Sequence, residues 1–240
     1  MKAGIIGLPK TGKTTIFNAL TRGEQSTDKY APPSLEANIG VVQVADERID
    51  KLSELYKPKK TIYATIEFHD YPGIFYKESE ISENALLAEI KNAEAFILVL
   101  RGFRDEELEG LFPLGTPIEQ FQHFQEEMLL YDLIIAEKRL EKIKLGYKRG
   151  VKTPAVQIEE KALHKIVDCL QINKPIKSIE LDNEEEKAIR GFQFFSAKPM
   201  LILINCNEDN INAWNETLNT FTEKDYQAYT IAGKFEEELS

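Results

Sequence analysis

Apolar residues fall along this chain in two rhythms. At both ends they come as short, nearly continuous runs: AGIIG (3–7), NIGVVQV (38–44), TIYATIEFHD (61–70), AFILVL (95–100), PMLILIN (199–205) and YQAYTIA (226–232). Runs of this length, rich in β-branched residues and bounded by polar turns, predict strands. Between them lie stretches with apolar residues every three or four positions. TTIFNALTRG (14–23), DERIDKLSELY (46–56), ISENALLAEIKNAE (81–94) and NAWNETLNTF (212–221) read as helices. Asp46 is a plausible N-cap for the second of these, and Gly23 a stop for the first.

The rhythm changes between about residues 117 and 195, where strand signals vanish. IEQFQHFQEEMLLYDLIIAEKRLEKIK (118–144) reads as a long amphipathic helix, AVQIEEKALHKIVDCLQI (155–172) as a second and EEEKAIRGFQFF (184–195) as a third. GYKRG (146–150) and Pro154 mark a hairpin tip between the first two, so the pair is expected to form an antiparallel two-helix coil. Strands alternating with helices at both ends predict an α/β fold. The expected fold is a mostly parallel doubly wound sheet, spanning 1–110 and 196–240, with a helical coiled-coil domain inserted at 111–195.

Composition narrows the function. The 240 residues carry a formal charge of -10, which argues against a general nucleic-acid coat. Cys169 and Cys206 are far apart, outside any metal-ligand spacing and in apolar surroundings, as expected of buried thiols in a reducing cytoplasm. The first strand begins at once, with no signal peptide expected, and no apolar run is long enough to span a bilayer.

The chemistry concentrates in GLPKTGKTT (7–15), the pattern G-x-x-x-x-G-K-[ST] between a predicted strand and a predicted helix. Such a loop turns successive N–H groups onto a polyphosphate, and the helix N-terminus adds its positive end. Pro9, Lys10, Thr11, Gly12, Lys13, Thr14 and Thr15 are therefore candidate nucleotide-binding residues. Lys13 would neutralise β- and γ-phosphate charge, and the Thr14 hydroxyl would ligate Mg²⁺. Asp70 ends an apolar strand and opens D-x-x-G, which gives a carboxylate for the metal and, at Gly73, an N–H for the γ-phosphate. Lys13 and Gly73 are thus the candidate catalytic residues. A water-orienting Gln often follows such a glycine; here the residue is Ile74. Ser34, in the broken stretch EQSTDKYAPPSLEA (24–37), is a third candidate metal ligand when triphosphate is bound.

A base-recognition loop is expected after the strand ending at Asn205. Guanine-specific switches present N-K-x-D there, but this chain has Asn205-Cys206-Asn207-Glu208. The longer Glu208 would weaken the paired hydrogen bonds to guanine, while the Asn205 amide suits adenine's N7 and N6 edge. His69, His123 and His164 receive no catalytic role.

These motifs resemble the YchF family of Obg-related translation-factor P-loop NTPases. The likeness runs through Ile6 to Thr21, Glu36 to Lys60, Ala64 to Ile74, Ala197 to Glu208 and Ala232 to Leu239. It implies a Ras-like G domain with a coiled-coil insertion, ATP use equal to or better than GTP, and association with ribosomes. It also implies base contacts from Asn205 and Glu208, backed by Ala232, Gly233 and Lys234. The hydrophobic Ile74 and the N-x-x-E are features of that family. The chain departs from it after D-x-x-G, where FYKESEISENA (75–85) has no glycine, and in Ser34, where the family has Thr. The family's C-terminal β-grasp (TGS) domain has no counterpart in the 240 residues.

The hairpin tip offers a second surface. Lys138, Arg139, Lys142, Lys144, Lys148, Arg149 and Lys152 crowd one end of an acidic chain. They fit either ribosomal RNA phosphates or an ordinary solvated face with Glu–Lys pairs. The sequence thus reads as a cytoplasmic, Mg²⁺-dependent, slowly hydrolysing ATPase or GTPase with no membrane partner. A nucleotide-binding scaffold without useful hydrolysis and an ordinary GTP switch remain alternatives, and a small-molecule phosphotransferase is disfavoured by the base motif.

Overall fold

The computed structural model describes residues 1–23, 37–75 and 83–240, with the side chains of 83–85 excepted. The chain divides into two compact units, Met1–Pro117 with Met200–Ser240, and Ile118–Pro199.

The first unit is built on a six-stranded sheet. Its strands are β1 (Lys2–Ile6), β2 (Asn38–Gln43), β3 (Thr65–Asp70), β4 (Ala95–Arg101), β5 (Met200–Asn205) and β6 (Gln227–Ile231), in the order β2-β3-β1-β4-β5-β6. Strands β3, β1, β4, β5 and β6 pair in parallel; β2 runs antiparallel to β3. The apolar run of β4 has Phe96, Leu98, Val99 and Leu100 almost wholly buried, as expected for an inner strand of a parallel sheet. The helices are α1 (Lys13–Thr21), α2 (Glu47–Tyr56), α3 (Glu83–Ile90), α4 (Glu106–Leu111), α8 (Asn215–Glu223) and α9 (Gly233–Leu239). One core joins Ile16 and Phe17 of α1 to Ala3, Ile5, Phe68 and Val99 of the sheet.

Among the boundaries that differ from the sequence reading, two in this unit have a clear cause. Helix α1 stops at Thr21 because Arg22 adopts φ 52°, and the N–H groups of Arg22 and Gly23 both return to the Asn18 carbonyl. The stretch 61–64 is not in β3. Ser53 Oγ and Thr61 Oγ1 lie 2.9 Å apart, and the Tyr63 hydroxyl donates to Asp50, so this stretch is tied to α2 instead.

The second unit contains α5 (Pro117–Lys148, whose first residue lies in the other unit), α6 (Pro154–Gln171) and α7 (Asn183–Ile189). Helix α5 runs through Gly146 to Lys148, so the turn to α6 is confined to 149–153. Thr153 caps α6 with its side chain, and Pro154 sits where a missing N–H costs nothing. Leu129, Ala136, Leu140 and Ile143 of α5 pack against Ala162, Leu163, Ile166 and Val167 of α6. Their spacing of seven, four and three keeps one stripe of α5 on its neighbour. Arg139 grips Glu159 across the pair at 2.6 and 2.7 Å, and the Tyr147 hydroxyl donates to Glu160 at 2.7 Å. The third predicted helix is α-helical only over Asn183–Ile189 and continues as short 3-10 turns. The left-handed Gln193, φ 52°, ends the first of these turns. Asp132, fully buried on α5, fixes those turns by accepting from the N–H groups of Phe195 and Ser196 at 3.0 and 2.8 Å.

Candidate functional site: a phosphate loop facing a base loop

The phosphate end is assembled from β1, α1 and β3. The register sets Ile5 beside Asp70, so the carboxylate ending β3 reaches the loop leaving β1. Gly12 adopts φ 90°, and a Cβ there would fall 2.1 Å from Asn205 Nδ2; only glycine serves. Lys10 is also left-handed, with φ 58°. Pro9 is half-buried, Thr15 likewise, and the buried Thr11 donates its hydroxyl to the Leu8 carbonyl at 3.2 Å.

Lys13 is buried and folds its amine back over the loop, donating to the carbonyls of Leu8 at 2.9 Å and Gly7 at 3.4 Å. Burial pushes its pKa down to about 8; the Asp70 charge opposes this, and Lys10 adds to it. A group so desolvated gains most from a nearby anion.

The Thr14 hydroxyl donates to Asp70 Oδ2 at 2.7 Å, and Asn38 Nδ2 donates to the same oxygen at 3.4 Å. Asp70 is only 5% exposed, burial raises its pKa, and its other oxygen, Oδ1, is buried with no hydrogen-bond partner among the described residues. A hydroxyl against a carboxylate with one buried oxygen unsatisfied fits a hard divalent cation completed by phosphate and water. Thr14 and Asp70 thus stand together. Ser34 lies outside the described residues, as does most of the stretch after D-x-x-G.

Gly73 packs directly on the phosphate loop. A Cβ there would lie 2.6 Å from the backbone of Pro9, and the next N–H, that of Ile74, donates to the Gly7 carbonyl at 3.2 Å. Ile74 itself is 4% exposed. Asn38 escaped the sequence reading; its one signal was an amide opening an otherwise apolar strand.

The base end joins the loops after β5 and β6. Asn205 is buried, and both ends of its amide are engaged. Nδ2 donates to the Thr11 carbonyl and Oδ1 accepts from the Gly233 N–H, both at 3.1 Å. It therefore ties the phosphate loop to the start of α9. Cys206 is buried, with its Sγ near the Ile231 carbonyl at 3.5 Å, and burial raises its pKa. Glu208 is exposed and opens a 3-10 turn; Ala232 and Gly233 are buried and Lys234 is exposed.

Comparison with known proteins gives this geometry a lineage. The family model described as "50S ribosome-binding GTPase" matches residues 2–206. The Ribosome-binding ATPase YchF of Bacillus subtilis is 30% identical over 100% of this chain and 67% of its own length. This chain belongs to the YchF family. A second YchF, from Mycoplasma genitalium, is 32% identical with the same coverage, and one from Pasteurella multocida is 33% identical over 93% of this chain and 62% of its own. The chain thus spans roughly two thirds of the length of these curated YchF proteins. The YchF GTPase structure of Schizosaccharomyces pombe superposes with a TM-score of 0.78 at 27% identity, covering 100% of this chain and 67% of that one. The mostly parallel P-loop domain is thus the YchF fold. Among the described residues, no helix is long and apolar enough to cross a membrane.

Proposed function

We propose that this chain is an Mg²⁺-dependent nucleoside triphosphatase of the ribosome-associated type, working in the cytoplasm on ATP and GTP at a slow intrinsic rate. The observation that carries this reading is the Thr14–Asp70 pair at 2.7 Å with Asp70 Oδ1 left unsatisfied beside the buried Lys13. Thr14 and Asp70 would hold the cation, with Ser34 completing the shell; bound there, Mg²⁺ supplies charge neutralisation at the phosphate oxygens.

Each of the chain's own groups then has a task. The backbone from Pro9 to Thr15 wraps the phosphates, and the N–H groups from Lys10 to Thr15 point onto them. The Lys13 amine exchanges the Gly7 and Leu8 carbonyls for phosphate oxygens, a swap favoured because anionic acceptors replace neutral ones around a desolvated cation. The Gly73 N–H, on a turn packed against Pro9, takes part of the charge that develops as water attacks in line. Ile74 has no group to orient that water and is buried, so hydrolysis is slow. Asn205 holds the base loop to the phosphate loop, while Glu208, with Ala232, Gly233 and Lys234, lines the base. The names of the relatives support both nucleotides and ribosome association. Lys138, Lys142, Lys148 and Arg149 are exposed and would face ribosomal RNA. Arg139, locked to Glu159, is the weakest member of that set.

The test is calorimetric titration of the chain with non-hydrolysable ATP and GTP analogues plus Mg²⁺, followed by single-turnover hydrolysis with and without large ribosomal subunits. Binding that requires Mg²⁺, with slow turnover, is expected. Binding without turnover under either condition leaves a scaffold; no binding at all overturns the reading.

A further inference from the structure

Helix α2 is amphipathic, yet none of its residues is buried. Glu47, Asp50 and Glu54 fall at i, i+3 and i+7 on one side; Leu52, Leu55 and Tyr56 fall at i, i+3 and i+4 on the other. The side nearest its own protein is that of Ile49 and Ser53, the half-buried residues of the helix: Ser53 meets Thr61, and the exposed Asp50 accepts from the Tyr63 hydroxyl. The apolar side faces outward, with Leu55 73% and Tyr56 75% exposed, and Ile62 beyond it 73% exposed. A ten-residue helix that buries nothing has little reason to keep such a face.

The residues just past α2 say what covers it. Lys57, Lys59 and Lys60 are three cations within four residues, all exposed, and none pairs with an acid among the described residues. Pro58 stiffens the segment between them. In a chain of net charge -10, this cluster of cations beside an exposed phenol ring is complementary to a polyanion. Three cations take up successive backbone phosphates, and the Tyr56 ring offers a platform for an unstacked base. A purely apolar partner would leave the lysines unmatched; a purely ionic one would not use the ring.

We propose that Tyr56 with Lys57, Lys59 and Lys60 forms a contact surface for single-stranded RNA on the nucleotide-binding unit, built from residues other than those of the helical hairpin's basic end. This rests on the ribosome-associated reading, which makes loops of ribosomal RNA the natural occupant.

The experiment measures binding of the full chain to a fluorescent mixed-sequence single-stranded RNA oligonucleotide across a salt series, and co-sedimentation with purified large ribosomal subunits. The combined change Lys57→Glu, Lys59→Glu, Lys60→Glu is expected to weaken oligonucleotide binding at least about tenfold. It should also flatten the log–log salt dependence by roughly two, at about 0.7 per phosphate. Tyr56→Ala is expected to lose about fivefold and Tyr56→Phe to retain binding. Nucleotide affinity and the circular dichroism spectrum should hold in all of them, because the altered side chains are exposed. Unchanged oligonucleotide binding in the triple variant, or none by the unaltered chain, overturns the proposal. Loss on ribosomal subunits with no loss on the oligonucleotide also overturns it and assigns the surface to a protein. If the unaltered chain binds the oligonucleotide through these residues but does not sediment with subunits, the RNA surface stands and the ribosome-associated reading fails.

Discussion

The two ends of the proposed nucleotide site are built on different plans. The phosphate end comes from nine consecutive residues, Gly7 to Thr15, joined by one carboxylate from the neighbouring strand. The base end takes residues from two separate loops, after β5 and after β6, and is held together by the Asn205 amide. A polyphosphate presents closely spaced oxygens, so consecutive N–H groups match it. A base presents a rigid edge that must be approached from several directions, and no single loop can do so. The phosphate end is therefore robust in its local geometry. The base end depends on the sheet keeping its register, and Asn205 makes it depend on the phosphate loop as well.

The largest effect should come from the phosphate end alone. Lys13→Ala is expected to lower triphosphate affinity at least about a hundredfold, about 2.7 kcal/mol, read by titration calorimetry. It should do so equally for ATP and GTP, because the lysine is assigned to phosphate; unequal loss would merge the two ends.

The second effect is a pH dependence. The buried Lys13 has its pKa lowered to about 8, whereas the unfolded chain would hold the ordinary value of 10.5. Between those values the unfolded state carries more protons, so the nucleotide-free chain gains stability as pH rises from 8 toward 10.5. Binding should run the other way. A phosphate partner restores the charge, so the complex takes up a proton and affinity falls up to about tenfold per pH unit above pH 8. Calorimetry in buffers of different ionisation enthalpy measures that uptake directly; an affinity flat from pH 7 to 9 would mean Lys13 is fully charged without ligand.

Asn205→Ala probes the link between the ends. It removes a donor to Thr11 and an acceptor from Gly233, both buried, and should cost about 1–3 kcal/mol in thermal stability. Affinity for ATP and GTP should fall together, about tenfold. A loss confined to one nucleotide would show Asn205 reading the base instead of bridging loops.

The smallest effect is expected at the base alone. Glu208→Asp shortens an exposed carboxylate by one methylene and should raise GTP affinity relative to ATP by a few-fold, with no change in folding.

Much of this site is legible in the order of residues alone. The phosphate loop is marked by its spacing between a strand and a helix, and Asp70 by its place at the end of an apolar run. Asn38 is not legible, because it reaches Asp70 only through the antiparallel pairing of β2 with β3, and a short apolar run carries no sign of strand direction. The engagement of Arg139 by Glu159 is equally hidden: the two are twenty residues apart and meet only once α5 and α6 are packed. The 61–64 stretch reads as strand because it alternates, but its hydroxyls find α2 instead.

Most of the elements, and the spacing that marks the candidate phosphate loop, are written in the order of residues, because they depend on local periodicity and on the chemistry of neighbouring residues. The strand order, the direction of β2, the seating of Gly73 against Pro9 and the use of both ends of the Asn205 amide arise when the chain folds. Those are contacts between residues distant in the chain. Sheet register and backbone close approach select them, and nothing in a run of ten residues encodes either.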